Sequence, residues 1–294
     1  MKKSFRFGVV SGGNTSRTEW ITLARRIEEL GYSSLLIPDV MGTPISALTA
    51  LAVAATATTT LRVGSFVFVN DYRNPALLAR EIATLDLLSD GRVELGLGAG
   101  NWPNDYQQLG IPFDEAGTRV SRFAEGLSII KQFFTSETVN FSGKYYTTTA
   151  LRPIPRPVQQ PHPPILIGSG GRRMLTLAAR EANIIMPVSM RGAAASSKDA
   201  SLEEKIGWIR EAAGERFEHL ELSQAAFGIE LTDSPIPAVP PFQRGIPVES
   251  RPMTTEQAVE ELLAQRENLG ISYIQIQERQ LENFAPVLAQ LNGK

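Results

Sequence analysis

From Ile165 the chain reads Ile-Leu-Ile-Gly-Ser-Gly-Gly-Arg-Arg. Three apolar residues predict a strand, Gly168, Ser169, Gly170 and Gly171 a turn, and the apolar spacing after Arg172 a helix. Such a turn offers backbone N–H groups, and the helix start adds a partial positive charge. Arg172 and Arg173 stand beside it. The chemistry this predicts is main-chain binding of a phosphate or another anion. The alternative is a tight strand-to-helix turn carrying two solvated arginines.

A second cluster of small residues is Gly96-Leu97-Gly98-Ala99-Gly100. It resembles a dinucleotide fingerprint but fails it, because Asn101 stands where the last glycine belongs and Pro103 follows. Small residues at a strand end instead let something flat approach the backbone. Simple packing at a tapered barrel end is the other reading. Asp39 ends a predicted strand, where an acid serves as a turn residue or cap unless it faces a ligand. Tyr72 and Trp102 are placed to stack on a planar ligand or to pack. Asn101 donates and accepts hydrogen bonds but does not titrate. Asp105 is a neighbouring acid whose alternative is a helix-surface role.

The rest of the composition narrows the chemistry. No cysteine is present, which excludes disulfides, thiolate metal sites and cysteine nucleophiles. His162 and His219 are far apart and form no ligand pair, so no metal site is expected. A net charge of -2 and a pI near 5.9 argue against a nucleic-acid partner. No apolar run approaches the ~18–20 residues of a membrane span, and MKKSFRFGVV is too short and interrupted for a signal peptide. A soluble cytoplasmic protein is expected.

The elements that must hold these residues alternate. Strands are predicted at Phe5–Val10, Ser33–Ile37, Leu61–Phe68, Val93–Leu97, Ile165–Ile167, Asn183–Met186, about Glu221–Leu231 and Tyr273–Ile276. Helices are predicted between them, at Ile45–Ala57 and Glu115–Phe134 among others. Ser16 to Glu19 and Thr254 to Gln257 have capping-box spacing, and Asn74-Pro75 reads as a helix start. Gly31 and Gly270 end two helices that lead into the near-copies LGYSSLLI and LGISYIQI. Repeated helix–glycine–strand units imply parallel strands joined by helical crossovers. Eight such strands fit one α/β domain over 1–294, a (β/α)8 TIM barrel, with an open doubly wound sheet as the runner-up. Insertions are expected at about 138–164, with a hairpin turning at Ser142-Gly143, and at about 232–253. The second insertion follows strand seven, so it is expected as a substrate lid over the mouth, with Arg244 and Arg251 facing an anionic substrate or solvent.

Three stretches, LARRIEELGYSSLLIPD, RNPALLAREIATLDLLSDGRVELGLGAG and PVQQPHPPILIGSGGRRM, resemble the luciferase-like monooxygenase superfamily. Their closest likeness is to its branch of deazaflavin (coenzyme F420)-dependent oxidoreductases. The resemblance runs from about Phe5 to Pro187. It favours the barrel and implies a flavin-like cofactor in the mouth. Asp39, Asn70, Ala99, Gly100 and Asn104 would line it, and Gly168 to Arg172 would hold its phosphate. Phe66–Val67 would form a cis-peptide bulge behind the ring. Many deazaflavin members follow the strand-two acid with histidine, whereas this chain has Val40. Some carry glutamate at the position of Asn101. Both proton-transfer roles are therefore unassigned, with Asn101 and Asp105 the only catalytic candidates.

The resulting expectation is hydride transfer between coenzyme F420 and a small organic substrate. The alternatives are an FMN-dependent monooxygenase, a barrel lyase or isomerase acting on a phosphorylated metabolite, and a non-catalytic cofactor-binding protein. From Pro44 to Leu61 no residue is charged. An outer barrel helix needs a polar face unless something covers it, so a homodimer is expected.

Overall fold

The computed structural model describes residues 3–14, 16–188, 199–233 and 250–294. Eight parallel strands form a closed barrel surrounded by helices. They are β1 (Arg6–Val10), β2 (Ser34–Ile37), β3 (Arg62–Ser65), β4 (Val93–Gly98), β5 (Ile165–Ser169), β6 (Ile184–Pro187), β7 (Glu221–Ala225) and β8 (Ile271–Gln277). β8 pairs with β1, and the seam between β3 and β4 closes through Val63↔Val93 and Gly64↔Glu94. The helices are α1 (Arg17–Glu29), α2 (Ala47–Ala57), α3 (Pro75–Leu88), α4 (Ala116–Thr135), α5 (Arg172–Glu181), α6 (Leu202–Ala213), α7 (Thr255–Leu269) and α8 (Ala285–Leu291). A short helix, Pro103–Leu109, precedes α4. No helix among the described residues is long and apolar enough to cross a membrane.

The predicted starts rest on real caps. Ser16 accepts from the Glu19 N–H, Asn74 caps α3 ahead of Pro75, and Thr254 and Gln257 form a reciprocal capping box. Two predicted strands are broken. β3 stops at Ser65 and resumes as Phe68–Val69, which pairs with Leu97–Gly98; the Phe66–Val67 peptide between them is cis. β7 stops at Ala225, and Ile229–Leu231 leaves the barrel to pair with Arg251–Met253. The side-chain amide of Gln280 fixes this exit by donating to the carbonyls of Ala226 and Ile229.

The first insertion carries the predicted hairpin, Val139–Ser142 against Thr147–Leu151. Its proline-rich continuation is fastened by Gln159, which donates to Asp86 and accepts from Arg62. The second expected insertion lies mostly outside the described residues, and Arg244 with it. Arg251 does not face the mouth: its guanidinium pairs with Glu261 of α7 at 2.8 Å.

The break in β3 explains the small residues of β4. A Cβ at Gly96 would lie 2.0 Å from the Ser65 carbonyl oxygen, and the Ser65 hydroxyl bonds the Gly96 main chain in both directions. A Cβ at Gly98 would press on Val67 at 2.8 Å. These glycines admit the neighbouring strand before they admit any ligand.

Strand alternation divides the core in two. Phe7, Val9, Leu35, Ile37, Ile274 and Ile276 face the helices and join the large outer core. Val10, Leu36, Leu166, Ile184 and Tyr273 form a separate layer inside the barrel. Below that layer the interior is ionic. Glu94 pairs with Arg6 at 2.5 Å and Arg62 at 2.8 Å, and Tyr273 donates to it at 3.1 Å. Arg6 also grips Glu221 with two bonds of 2.7 and 2.6 Å. Five strands, β1, β3, β4, β7 and β8, are thus tied at one end. Burial pushes the Glu94 carboxyl up, but Arg6 and Arg62 outweigh it and hold the pKa below the ordinary value.

Two predictions test this arrangement. Glu94→Ala should destabilise the fold by about 3–5 kcal/mol in urea unfolding, because it removes the buried carboxylate that joins Arg6, Arg62 and Tyr273 and leaves Arg62 without an acidic partner. Because Glu94 titrates lower in the folded chain, its contribution is whole above its unfolded value of about 4.5 and is lost as pH falls through the folded one. The stability difference between parent and Glu94→Gln should therefore shrink below about pH 4.5. Separately, Gly96→Ala should cost at least ~1–3 kcal/mol by the same assay, since backbone must move.

Candidate functional site

A cavity of about 670 Å³ opens at the C-terminal ends of the strands. This is the face where a barrel presents its loops to ligands. Each wall comes from a different unit. Pro38, Asp39 and Val40 follow β2, and Phe66, Val67 and Val69 come from the break in β3. Gly98 ends β4 and Ala99 to Trp102 follow it, and Ala116, Gly117, Arg119 and Val120 come from the start of α4. Gly168 to Met174 span the end of β5 and the first turn of α5. Met186, Val188, Phe227, Val10 and Gln277 complete the far side.

Most of the residues singled out from sequence meet here. Asp39, Phe66, Val67, Ala99, Gly100, Asn101, Gly168, Ser169, Gly170, Gly171 and Arg172 all line the one cavity. Three do not. Asn70 is buried under Gly126, and its amide donates to Asp71 and to the Tyr146 hydroxyl at 3.0 Å. Asn104 is exposed on the short helix after β4. Asp105 is buried and accepts the Met41 N–H at 3.1 Å, so its carboxylate braces the loop after β2. Of the two aromatics, Trp102 reaches the cavity, whereas Tyr72 packs edge-on against Tyr106.

The acid at the end of β2 is also engaged. One Asp39 oxygen accepts the Val69 N–H at 3.1 Å and the other accepts from Arg73 at 2.9 Å. Asp39 is the only carboxylate among the described lining residues, and both of its oxygens are held. No histidine, lysine, tyrosine or cysteine accompanies it there. Its bonds bridge the ends of β2 and β3 and fix the wall that Phe66 and Val67 present.

The glycine turn has the features an anion requires. Gly171 is the N-cap of α5 and provides no side-chain cap, so the N–H groups of the first turn are not claimed by one. Gly170 must remain glycine: a Cβ would lie 2.7 Å from the Val188 carbonyl oxygen. At Gly171 a Cβ would meet nothing within 4 Å. Buried Lys205 donates to that same Val188 carbonyl and pairs with Asp199 at 2.6 Å, which fixes the strand end behind the turn. Arg173 donates to the Gly117 carbonyl and to Ser121, joining the turn to α4. Arg172 is exposed and lies over the Trp208 ring.

Two polar lining residues escaped the sequence reading. Arg119 is buried in the wall, stacks 4.0 Å from the centre of the Phe113 ring, and donates to the Gly100 and Asp114 carbonyls. It holds the turn carrying Ala99, Gly100 and Asn101. Gln277 is the last residue of β8. Its signal was present in Ile-Ser-Tyr-Ile-Gln-Ile-Gln, where polar residues alternate through a buried strand. That period puts 273, 275 and 277 on the barrel's inner face.

Comparison with known proteins gives this cavity a family. The model of the luciferase-like monooxygenases matches residues 4–235. An uncharacterized protein of Mycobacterium tuberculosis is 32% identical over 189 residues, 56% of this chain and 64% of its own length. An F420-dependent glucose-6-phosphate dehydrogenase of Amycolatopsis mediterranei is 30% identical over 219 residues, 65% of each chain. The chain thus spans just under two thirds of the length of these relatives. Among solved structures, the coenzyme F420-dependent tetrahydromethanopterin reductase of Methanopyrus kandleri superposes with a TM-score of 0.79 at 19% identity, covering 98% of both chains. The long-chain alkane monooxygenase LadA gives 0.81 at 15% identity, over 99% of this chain and 92% of its own. At such identities these two likenesses establish the shared fold, while the match over 4–235 establishes the kinship: the chain belongs to the luciferase-like monooxygenase family.

Proposed function

We propose that this protein is an oxidoreductase that binds the deazaflavin coenzyme F420 and serves hydride transfer between it and a small organic substrate. The reading takes 1–294 as one barrel domain. The observation that carries it is the continuity of a single cavity, from the uncapped glycine turn of α5 to an apolar slot walled by Phe66, Val67 and Val69. A phosphate fits the first end, where main-chain donors and Arg172 gather, and a flat ring fits the second. The F420-dependent dehydrogenases at 30% identity support the deazaflavin over FMN.

A bound deazaflavin supplies the hydride chemistry; this chain supplies position. The first turn of α5 holds the anion. The backbone of Ala99 and Gly100, braced by Arg119, and the bulge at Phe66–Val67 flank the ring slot. Asn101 offers a hydrogen bond but no proton transfer. With both Asp39 oxygens engaged, the described walls position a ligand rather than move protons, and a proton for the substrate would come from solvent.

Fluorescence titration with both cofactors tests the choice. F420 should bind more tightly than FMN, with little oxygen uptake on turnover; tighter FMN binding with substrate-dependent oxygen consumption would place the chain with the monooxygenases. Gly170→Val should weaken F420 binding about tenfold or more while Gly171→Ala leaves it near parent, since only the first side chain collides with backbone. Equal binding by Gly170→Val would remove the anion site from the turn.

The second element of the proposal is a homodimer. α2 carries no charge, and Leu48, Ala52 and Val53 are only half-buried on it. Leu77 and Leu88 of α3 are 50% and 68% exposed. Light scattering at micromolar concentration should give twice the chain mass of 32.1 kDa, and a monomeric mass would refute it.

A further inference from the structure

The two sides of the cavity differ in chemistry. Its described cations, Arg119, Arg172 and Arg173, all come from the β4–β5 side, where the cofactor phosphate is assigned. The far side, from β6 through β8 to β1, presents Met186, Val188, Phe227 and Val10. Gln277 is the one polar side chain on it among the described residues.

The Gln277 amide is oriented, and its orientation is unambiguous. Nε of Arg279, which can only donate, lies 2.8 Å from Oε1 of Gln277. The side chain also accepts from the Gln280 N–H. Arg279 is itself anchored, by the Phe227 carbonyl at 3.0 Å and by Glu230 at 3.4 Å. Both bonds to Gln277 consume its oxygen. Its Nε2 finds no acceptor among the described residues, although the side chain is 94% buried by its 6% exposure. The Nε2 group is not sealed within protein but opens on the cavity, so a molecule held there can take the bond that the described residues do not. Inward orientation follows from the register: Gln277 pairs with Val10, which belongs to the inner layer, and shares its face with Tyr273.

We propose that Gln277 is the substrate-recognising residue of this site, donating from Nε2 to an acceptor oxygen on an otherwise apolar molecule. The substrate class is then a small ketone or enone, or the alcohol formed from it. The described wall on that side offers a phosphate no cation. This inference rests on reading the cavity as the oxidoreductase site, but its test does not require turnover.

The probes are cyclohexanone, methylenecyclohexane, which has the same shape without the oxygen, and glucose 6-phosphate. Binding to the full-length protein, with and without F420, is measured by saturation-transfer NMR. Cyclohexanone should bind the parent about tenfold more tightly than methylenecyclohexane, as one net hydrogen bond predicts. Gln277→Glu keeps the acceptor for Arg279 and replaces the donor, so it should abolish that preference while F420 affinity stays within twofold of parent. Gln277→Leu provides the same reading should the charged variant fail to fold. No preference in the parent, a preference that survives both substitutions, or tighter binding of glucose 6-phosphate than of cyclohexanone would each overturn the assignment. Failure to bind F420 with the ketone preference intact would instead overturn the cofactor reading and leave Gln277 in place.

Discussion

A closed sheet leaves each strand residue two directions, into the barrel or toward the helices, and that constraint organises this molecule. Along β1 the sequence Arg-Phe-Gly-Val-Val sends Phe7 and Val9 outward and Val10 inward. The interior is narrow, so its contents are layered by height. Ions fill the N-terminal end, five hydrophobic side chains fill the middle, and the C-terminal end is left open. The cavity is what remains once Leu36, Leu166 and their neighbours have closed the space beneath it.

Much of this was legible because periodicity and caps are local. Each of the eight predicted strands overlaps an observed one, and the near-copies LGYSSLLI and LGISYIQI became β2 and β8 with their preceding helix ends. The glycine turn was legible for the same reason: strand, turn and helix start lie within ten residues. What failed depended on partners distant in sequence. Leu61–Phe68 reads as one strand, and only the neighbouring Gly96 and Gly98 show why it must break. Asn70 and Asp105 have the chemistry of site residues, but contacts with Tyr146 and Met41 turn them into braces. Arg119 sits in an amphipathic helix where an arginine ordinarily faces solvent, and its burial follows from where Gly100 and Asp114 fall.

Asp39 shows how a family resemblance and a geometry combine. Likeness placed an acid beside the cofactor, and the cavity does include it. Its hydrogen bonds assign it the work of a clamp between two strand ends. A carboxylate neutralised by Arg73 holds a wall in place without adding net charge to the slot it faces.

The ionic cluster around Glu94 has a consequence for how this molecule can change over evolutionary time. Arg6 and Val10 are four residues apart on β1, so the cluster lies ~13 Å below the mouth at the usual strand rise. Perturbations separated by more than about 7–10 Å generally add without interacting. The ionic cluster and the cavity therefore occupy separable parts of the same strands. Substitutions at cavity-lining positions such as Val40 or Gln277 can reshape the cavity without first dismantling what keeps the barrel shut.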